Sequence, residues 1–361
     1  HQLLLAPDSR LGTRHQLRHC TGVIRSWSLP EVPPEVRSVV GEALAEKLVP
    51  REAVLVASRA GAEAALPELL GTRLLAADCE GVALGRWGRL CVCQLATPER
   101  VYIFDALREG VLDTLRPVLC SNNILKVMHD CREDASAMLA QYQVELAGVF
   151  DTQVAHTMLL RQEDTRPFQI SLNELLKNTL QLQNEQQSLL AQKMKGDPNV
   201  WFYRPIEQEL LNYAAQDVMY LPLLHRVLCE KLRDPSGGRV LSQSRSYVEY
   251  SHMNLHLNSP KAAEKRNLRL QAMLATRTEK ALYFKLNLGA QRQGAVSRPE
   301  AISRFRDMEF GDIADCWVSA WNVSGSLLFL ERLETGTAAM KVPAAPPDPG
   351  TPRYYRRRRG I

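Results

Sequence analysis

The stretch Leu74-Leu75-Ala76-Ala77-Asp78-Cys79-Glu80-Gly81-Val82 decides how the rest of the chain is read. Four apolar residues run directly into Asp78-Cys79-Glu80, the pattern of a buried strand closed by a turn. Alternation along a strand puts Asp78 and Glu80 on one face. Two carboxylates side by side at the end of a core strand repel each other, and holding both ionised there is costly without a cation. Hard divalent ions such as Mg²⁺ take carboxylate oxygens. Half of a metal site is one reading; two solvated acids at an exposed strand end is the other. The choice rests on residues further along the chain.

Length and composition set the frame. The 361 residues allow two or three domains, and 45% hydrophobic with 24% charged residues leaves ample material for a core. No uninterrupted apolar run approaches the roughly 20 residues needed to cross a bilayer. The net charge of +5 is mildly basic, and the cations are 34 Arg against 11 Lys. Arg suits bidentate phosphate contacts. The eight cysteines form neither a Cys-x-x-Cys pair nor a zinc-like Cys/His spacing. Such scatter points to reduced thiols in an intracellular compartment. Near the start, Arg10, Arg14, Arg18 and Arg25 face only Asp8. That suits sequence near a mitochondrial transit peptide or a basic arm on RNA, so the expected location is mitochondrial or cytoplasmic.

Taken in order, residues 1–51 read as a basic N-terminal arm followed by a helix that Pro33-Pro34 opens and Pro50 ends. From Ala53 the pattern turns to compact α/β. Three strands are expected in succession at Leu74–Asp78, Leu90–Leu95 and Val101–Phe104, joined by short turns as an antiparallel meander. A fourth strand at Ile124–Met128 leads to a helix over Cys131–Tyr142, and Val149-Phe150-Asp151 leads to another. One long helix is expected over Ile206–Leu232. The whole is a mixed sheet flanked by helices, spanning 52–232. Asp234-Pro235-Ser236-Gly237-Gly238 signals a linker, taken as residues 233–264. Residues 265–345 read as a small domain, helical over 265–280 and then β-rich. A Pro-rich and Arg-rich tail, 346–361, ends in Arg356-Arg357-Arg358-Arg359.

Two further acids bear on Asp78 and Glu80. Lys126-Val127-Met128-His129-Asp130-Cys131-Arg132-Glu133-Asp134 leaves a strand and enters a helix, with Asp134 in the first turn, where an acid also suits the helix dipole. In Leu210-Leu211-Asn212-Tyr213-Ala214-Ala215-Gln216-Asp217-Val218, Tyr213 and Asp217 are four apart on one helix face beside an apolar stripe. An Asp there calls for a partner or a metal.

Asp-x-Glu on the first strand, an Asp five residues after His129, and Tyr-x-x-x-Asp on a late helix together closely resemble the DEDDy branch of the RNase D-type 3′–5′ exonucleases. The flanks Gly81-Val82-Ala83-Leu84-Gly85, His129-Asp130-Cys131-Arg132, Phe150-Asp151-Thr152-Gln153-Val154-Ala155-His156 and Trp201 with Arg204-Pro205 look like the Egalitarian-type subgroup. The resemblance covers roughly 52–232. It implies an RNase H-like fold and two divalent ions, Mg²⁺ or Mn²⁺, held by Asp78, Glu80, Asp134 and Asp217. In that scheme Asp78 bridges both ions, Glu80 and Asp217 complete one shell, and Asp134 holds the second ion largely through water. Tyr213 orients the attacking water; its phenol, with an ordinary pKa near 10, is a poor base at neutral pH.

Other positions divide between structural and functional readings. Asp151 is expected to cap a helix and His129 to pack at a strand end. Arg204 either fixes the approach to the last helix or contacts a phosphate. Arg86 and Trp87 read as an exposed hairpin tip. Residues 310–330 have a strand–turn–strand shape resembling an OB-fold of the kind that binds RNA. Trp317 and Trp321 in it, four apart, are expected on one strand face. The tail arginines 356–359 suit phosphate contact. The leading expectation is thus a metal-dependent 3′–5′ exonuclease on single-stranded RNA. Its rival is a non-catalytic scaffold on structural RNA in a ribonucleoprotein assembly such as an organellar ribosome.

Overall fold

The computed structural model describes residues 21–24, 31–50, 52–289 and 291–333. The arginines of the N-terminal arm and of the 356–359 tail lie outside these residues. The elements of the first part are β1 (Thr21–Ile24), α1 (Pro34–Val40), α2 (Glu42–Lys47), β2 (Ala53–Val56), α3 (Arg59–Gly71), β3 (Leu74–Val82), β4 (Arg89–Ala96) and β5 (Val101–Asp105). There follow α4 (Val111–Thr114), α5 (Arg116–Leu119), β6 (Leu125–Met128), α6 (Arg132–Tyr142), β7 (Val149–Asp151) and α7 (Thr152–Gln162). The helices α8 (Leu172–Leu180), α9 (Gln187–Gly196), α10 (Gln208–Met219), α11 (Leu221–Lys231) and α12 (Gly238–Glu249) complete it.

The expected meander is present. β3, β4 and β5 pair antiparallel, while β6 and β7 continue the sheet parallel to β3. The seven strands run in the order β1-β2-β5-β4-β3-β6-β7. β3 therefore sits inside the sheet, where Leu75, Ala76 and Ala77 are fully buried. Its far end carries Asp78 and Glu80. The strand is irregular just beyond, between Glu80 and Gly81. A Cβ at Gly81 would lie 2.1 Å from the carbonyl oxygen of Arg89, so only glycine lets the two strands close here.

Three expected boundaries move. Residues 21–24, read as part of an extended arm, pair antiparallel with β2 as an edge strand. The helix over 33–48 breaks at Gly41, whose φ of +88° favours glycine. The long helix over 206–232 breaks at Tyr220, because Pro222 in the first turn of α11 has no N–H to continue α10.

The expected linker is the largest correction. After the turn at Asp234–Gly237, α12 packs against β7 and buries Val240 and Tyr247. The Ser244 hydroxyl accepts the N–H of Asp151 at 2.9 Å. Residues 254–257 then meet the β3–β4 hairpin. Arg86 donates to the carbonyls of Asn254, Leu255 and Leu257 at 2.8, 3.1 and 2.7 Å, so this hairpin tip is docked rather than free.

The second part is a closed five-stranded barrel, ordered β10-β12-β11-β8-β9. Its strands are β8 (Arg269–Arg277), β9 (Leu282–Lys285), β10 (Gln293–Val296), β11 (Ile313–Trp321) and β12 (Leu327–Arg332), with the short α13 (Pro299–Ile302) between β10 and β11. This is the small β-rich domain expected after the mixed sheet, with its own sheet closed on itself. Residues 269–277, expected to be helical, form a strand because β9 and β11 both pair with it. Their Leu, Ala and Met are good helix formers that tertiary pairing overrides. The bulge between Val318 and Ala320 also separates the two tryptophans. Trp317 lies opposite Glu331, and Trp321 opposite the inward Leu328. They therefore do not share a face.

Candidate active site

The sheet brings the carboxylates together. α10 crosses β3, β4 and β5, so the face that carries Asp78 and Glu80 meets the face that carries Asp217. One carboxylate oxygen from each of Asp78, Glu80 and Asp217 lies within 4.8 Å of the others. Asp134, in the first turn of α6, is 5% exposed, and its Oδ1 has no hydrogen-bond partner in the protein. Its charge acts on both Asp78 and Glu80. The three-acid group opens on a cleft of about 200 Å³ lined also by Cys79, His129, Leu172, Tyr213 and Leu221.

These acids are under electrostatic stress. Burial, and then the neighbouring carboxylates, hold Asp78 and Glu80 well above the usual carboxylate range. Burial pushes Asp134 up to about 7 and Asp217 to about 6. Asn184 opposes the shift on Asp217 by donating its amide N–H at 2.8 Å, and the same nitrogen reaches the Tyr213 carbonyl at 3.1 Å. A compact all-oxygen donor set with surplus negative charge fits hard divalent cations. Asp134 is not among the acids whose oxygens converge and does not line the cleft; its link to the set is the charge it exerts on Asp78 and Glu80. Tyr213 lies beside Asp217, and burial raises its phenol far above the ordinary value. It stays protonated at neutral pH.

The other sequence expectations sort clearly. Both ring nitrogens of His129 are engaged, Nδ1 with the Thr152 hydroxyl at 2.9 Å and Nε2 with the Ile170 carbonyl at 3.0 Å. It lines the cleft as a packed residue rather than a ligand. Asp151 caps α7 by accepting the N–H of Gln153 at 2.8 Å, and it also accepts the N–H of Cys131 at 2.8 Å. Arg204 is corrected as a nucleic-acid contact. Its guanidinium pairs with Asp105 at 2.8 and 2.7 Å and donates to the carbonyls of Trp201, Tyr203 and Cys91. All five donors are spent inside the protein. Asn184 was missed, because a lone Asn in the polar run Gln181-Leu182-Gln183-Asn184 carries no motif.

Comparison with known proteins agrees with this geometry. Residues 54–233 match the 3′–5′ exonuclease family. This part of the chain is an RNase D-type 3′–5′ exonuclease domain with an RNase H-like α/β fold. The human piRNA biogenesis protein EXD1 is 32% identical over 229 residues, covering 60% of this chain and 45% of that protein. An Egalitarian protein homolog from Caenorhabditis elegans is 32% identical over 202 residues, covering 52% and 34%. The chain thus spans less than half the length of either relative. The crystal structure of Trypanosoma brucei RNase D in complex with RNA U12 superposes with a TM-score of 0.51 at 26% identity, covering 59% of this chain and 74% of that one.

Proposed function

We propose that the protein is a metal-dependent 3′–5′ exonuclease that shortens single-stranded RNA by two-metal phosphodiester hydrolysis, with Mg²⁺ or Mn²⁺. The observation that carries this reading is the convergence of Asp78, Glu80 and Asp217 within 4.8 Å, with Asp134, whose Oδ1 is unpartnered, near enough for its charge to act on Asp78 and Glu80. Asp78, Glu80 and Asp217 would hold one ion, and Asp78 with Asp134 the second. Such a pair stabilises both the attacking and the leaving oxygen of a phosphodiester. RNA is preferred as substrate because a similar RNase D structure is a complex with RNA.

The protein groups have separate tasks. Asn184 fixes the rotamer of Asp217. Tyr213, kept protonated by burial and by the neighbouring Asp217 carboxylate, cannot serve as a base and instead orients a water by hydrogen bonding. His129, Leu172 and Leu221 line the cleft beside these groups.

The test is digestion of a 5′-labelled single-stranded oligoribonucleotide with Mg²⁺ or Mn²⁺. A ladder that shortens from the 3′ end, and that chelation stops, is the expected result. Binding of the oligonucleotide with no metal-dependent shortening would favour a scaffold in a ribonucleoprotein assembly.

A further inference from the structure

The barrel does not hang from the exonuclease domain; it grips the segment that carries Asp134. Asp130, between β6 and α6, has a φ of +54°. Its carboxylate pairs with the fully buried Arg132, whose guanidinium lies 4.4 Å over the ring of Tyr247 in α12 and 3.8 Å from the Sδ of Met273 in β8. Lys285 of β9 reaches Asp130 at 3.4 Å and Glu133 at 3.8 Å. Tyr250 donates its hydroxyl proton to Glu133 at 2.9 Å and accepts the N–H of Asn287 at 2.8 Å. The Asn287 side chain in turn accepts the Ser136 hydroxyl and donates to the carbonyls of Ser251 and Met253 at 3.0 and 3.1 Å.

The spacing gives this network a direction. Glu133 and Ser136 are three apart and share the face of α6 turned to the barrel. Asp134 projects from the adjacent face. A turn held on one side by Lys285 and Asn287 fixes where the Asp134 carboxylate stands on the other. Orientation of a ligand by its outer partners is a recognised determinant of metal affinity.

We propose that Lys285 and Asn287 are positioning residues for Asp134, so that the barrel is a working part of the metal centre. The proposal rests on the metal-site reading above. It predicts that loosening the barrel's hold weakens the ion that depends on Asp134 and leaves the other ion in place.

The experiment is a Mn²⁺ titration of the whole chain without RNA, followed by calorimetry and by electron paramagnetic resonance. Wild type is expected to bind two ions. Lys285→Met and Asn287→Gly are each expected to weaken one of the two by about tenfold or more. Glycine suits the φ of +52° at position 287, so that change removes the side chain without straining the backbone. Lys285→Arg restores the charge and is expected to recover most of the affinity. Arg269→Ala removes an exposed barrel ion pair with Asp315 and is expected to change neither site. Where Lys285→Met fails to fold, Glu133→Gln removes the facing charge but keeps an acceptor for Tyr250, and a weakened ion is again expected. Folded variants with wild-type Mn²⁺ binding would overturn the proposal alone. A folded wild type that binds no Mn²⁺ would overturn the metal-site reading and this one with it.

Discussion

Arg204 and Asp105 form a two-point ion pair at 2.8 and 2.7 Å in which the Asp105 side chain is only 2% exposed. The pair ties the turn before α10 to the end of β5, and so sets the height of Tyr213 and Asp217 above the sheet. Arg204→Ala strands a buried carboxylate, which costs about 3–5 kcal/mol when a buried pair is broken. Thermal unfolding is expected to shift down by many degrees. Arg204→Lys should recover little, since an ammonium cannot span five acceptors. A variant of unchanged Tm with weaker RNA binding would restore the phosphate-contact reading.

Asn184 is expected to matter beyond its size. Asn184→Leu removes the hydrogen bond that holds Asp217 and leaves burial to raise that carboxyl further. Divalent-ion activation should shift to about tenfold higher metal concentration, or more. Far-UV circular dichroism should stay unchanged. Steady-state rates measured across a Mn²⁺ series check this.

Stability and pH are linked through the same acids. Folding raises Asp134 to about 7 and Asp217 to about 6, with Asp78 and Glu80 also raised. Unfolded carboxyls titrate near about 4. Between these values the folded, metal-free protein binds more protons than the unfolded chain, so stability falls as pH rises. In chelator, the Tm of wild type should drop relative to Asp78→Asn from pH 4 to pH 7.5. Saturating Mg²⁺ should close that gap at pH 7.5, adding about 2.7 kcal/mol at a hundredfold excess over Kd. Parallel Tm curves for the two proteins in chelator would contradict the shared-charge account.

Residues 353–361 of the tail carry Arg353 and Arg356–Arg359 with no acid. Deleting residues 353–361 is expected to weaken binding of single-stranded RNA and to flatten its salt dependence, by a log–log slope of about 0.7 per lost contact. Digestion of bound RNA should continue at a similar rate. Filter binding across a salt series, before and after deletion, measures both effects.

The exonuclease half of the fold was legible because its signals are local. A buried run ending in Asp78-Cys79-Glu80 and the i, i+4 pair Tyr213/Asp217 declare their faces without tertiary information. What the sequence hid depends on long-range pairing. Residues 269–277 look helical until two neighbouring strands claim them. The apparent linker at 238–249 becomes a packed helix only because β7 offers its edge and Ser244 meets the Asp151 N–H. The separation of Trp317 from Trp321 follows from one bulge that no spacing rule announces. Arg204 illustrates the remaining ambiguity: an Arg before Pro suits a phosphate or a buried acid equally, and only Asp105, 99 residues away, decides between them.

The central claim is that the acid cluster of Asp78, Glu80 and Asp217, with Asp134, cuts RNA through bound metal. Its most direct measurement is the rate of shortening of a 5′-labelled oligoribonucleotide in Mn²⁺ by wild type, Asp78→Asn and Asp217→Asn, with folding of each checked by circular dichroism. The account predicts 3′-end shortening by wild type and its loss in both folded variants, by a factor of about a hundred or more, since each change removes a metal ligand. Equal shortening by wild type and either variant, or none by a folded wild type that binds the RNA, would contradict it.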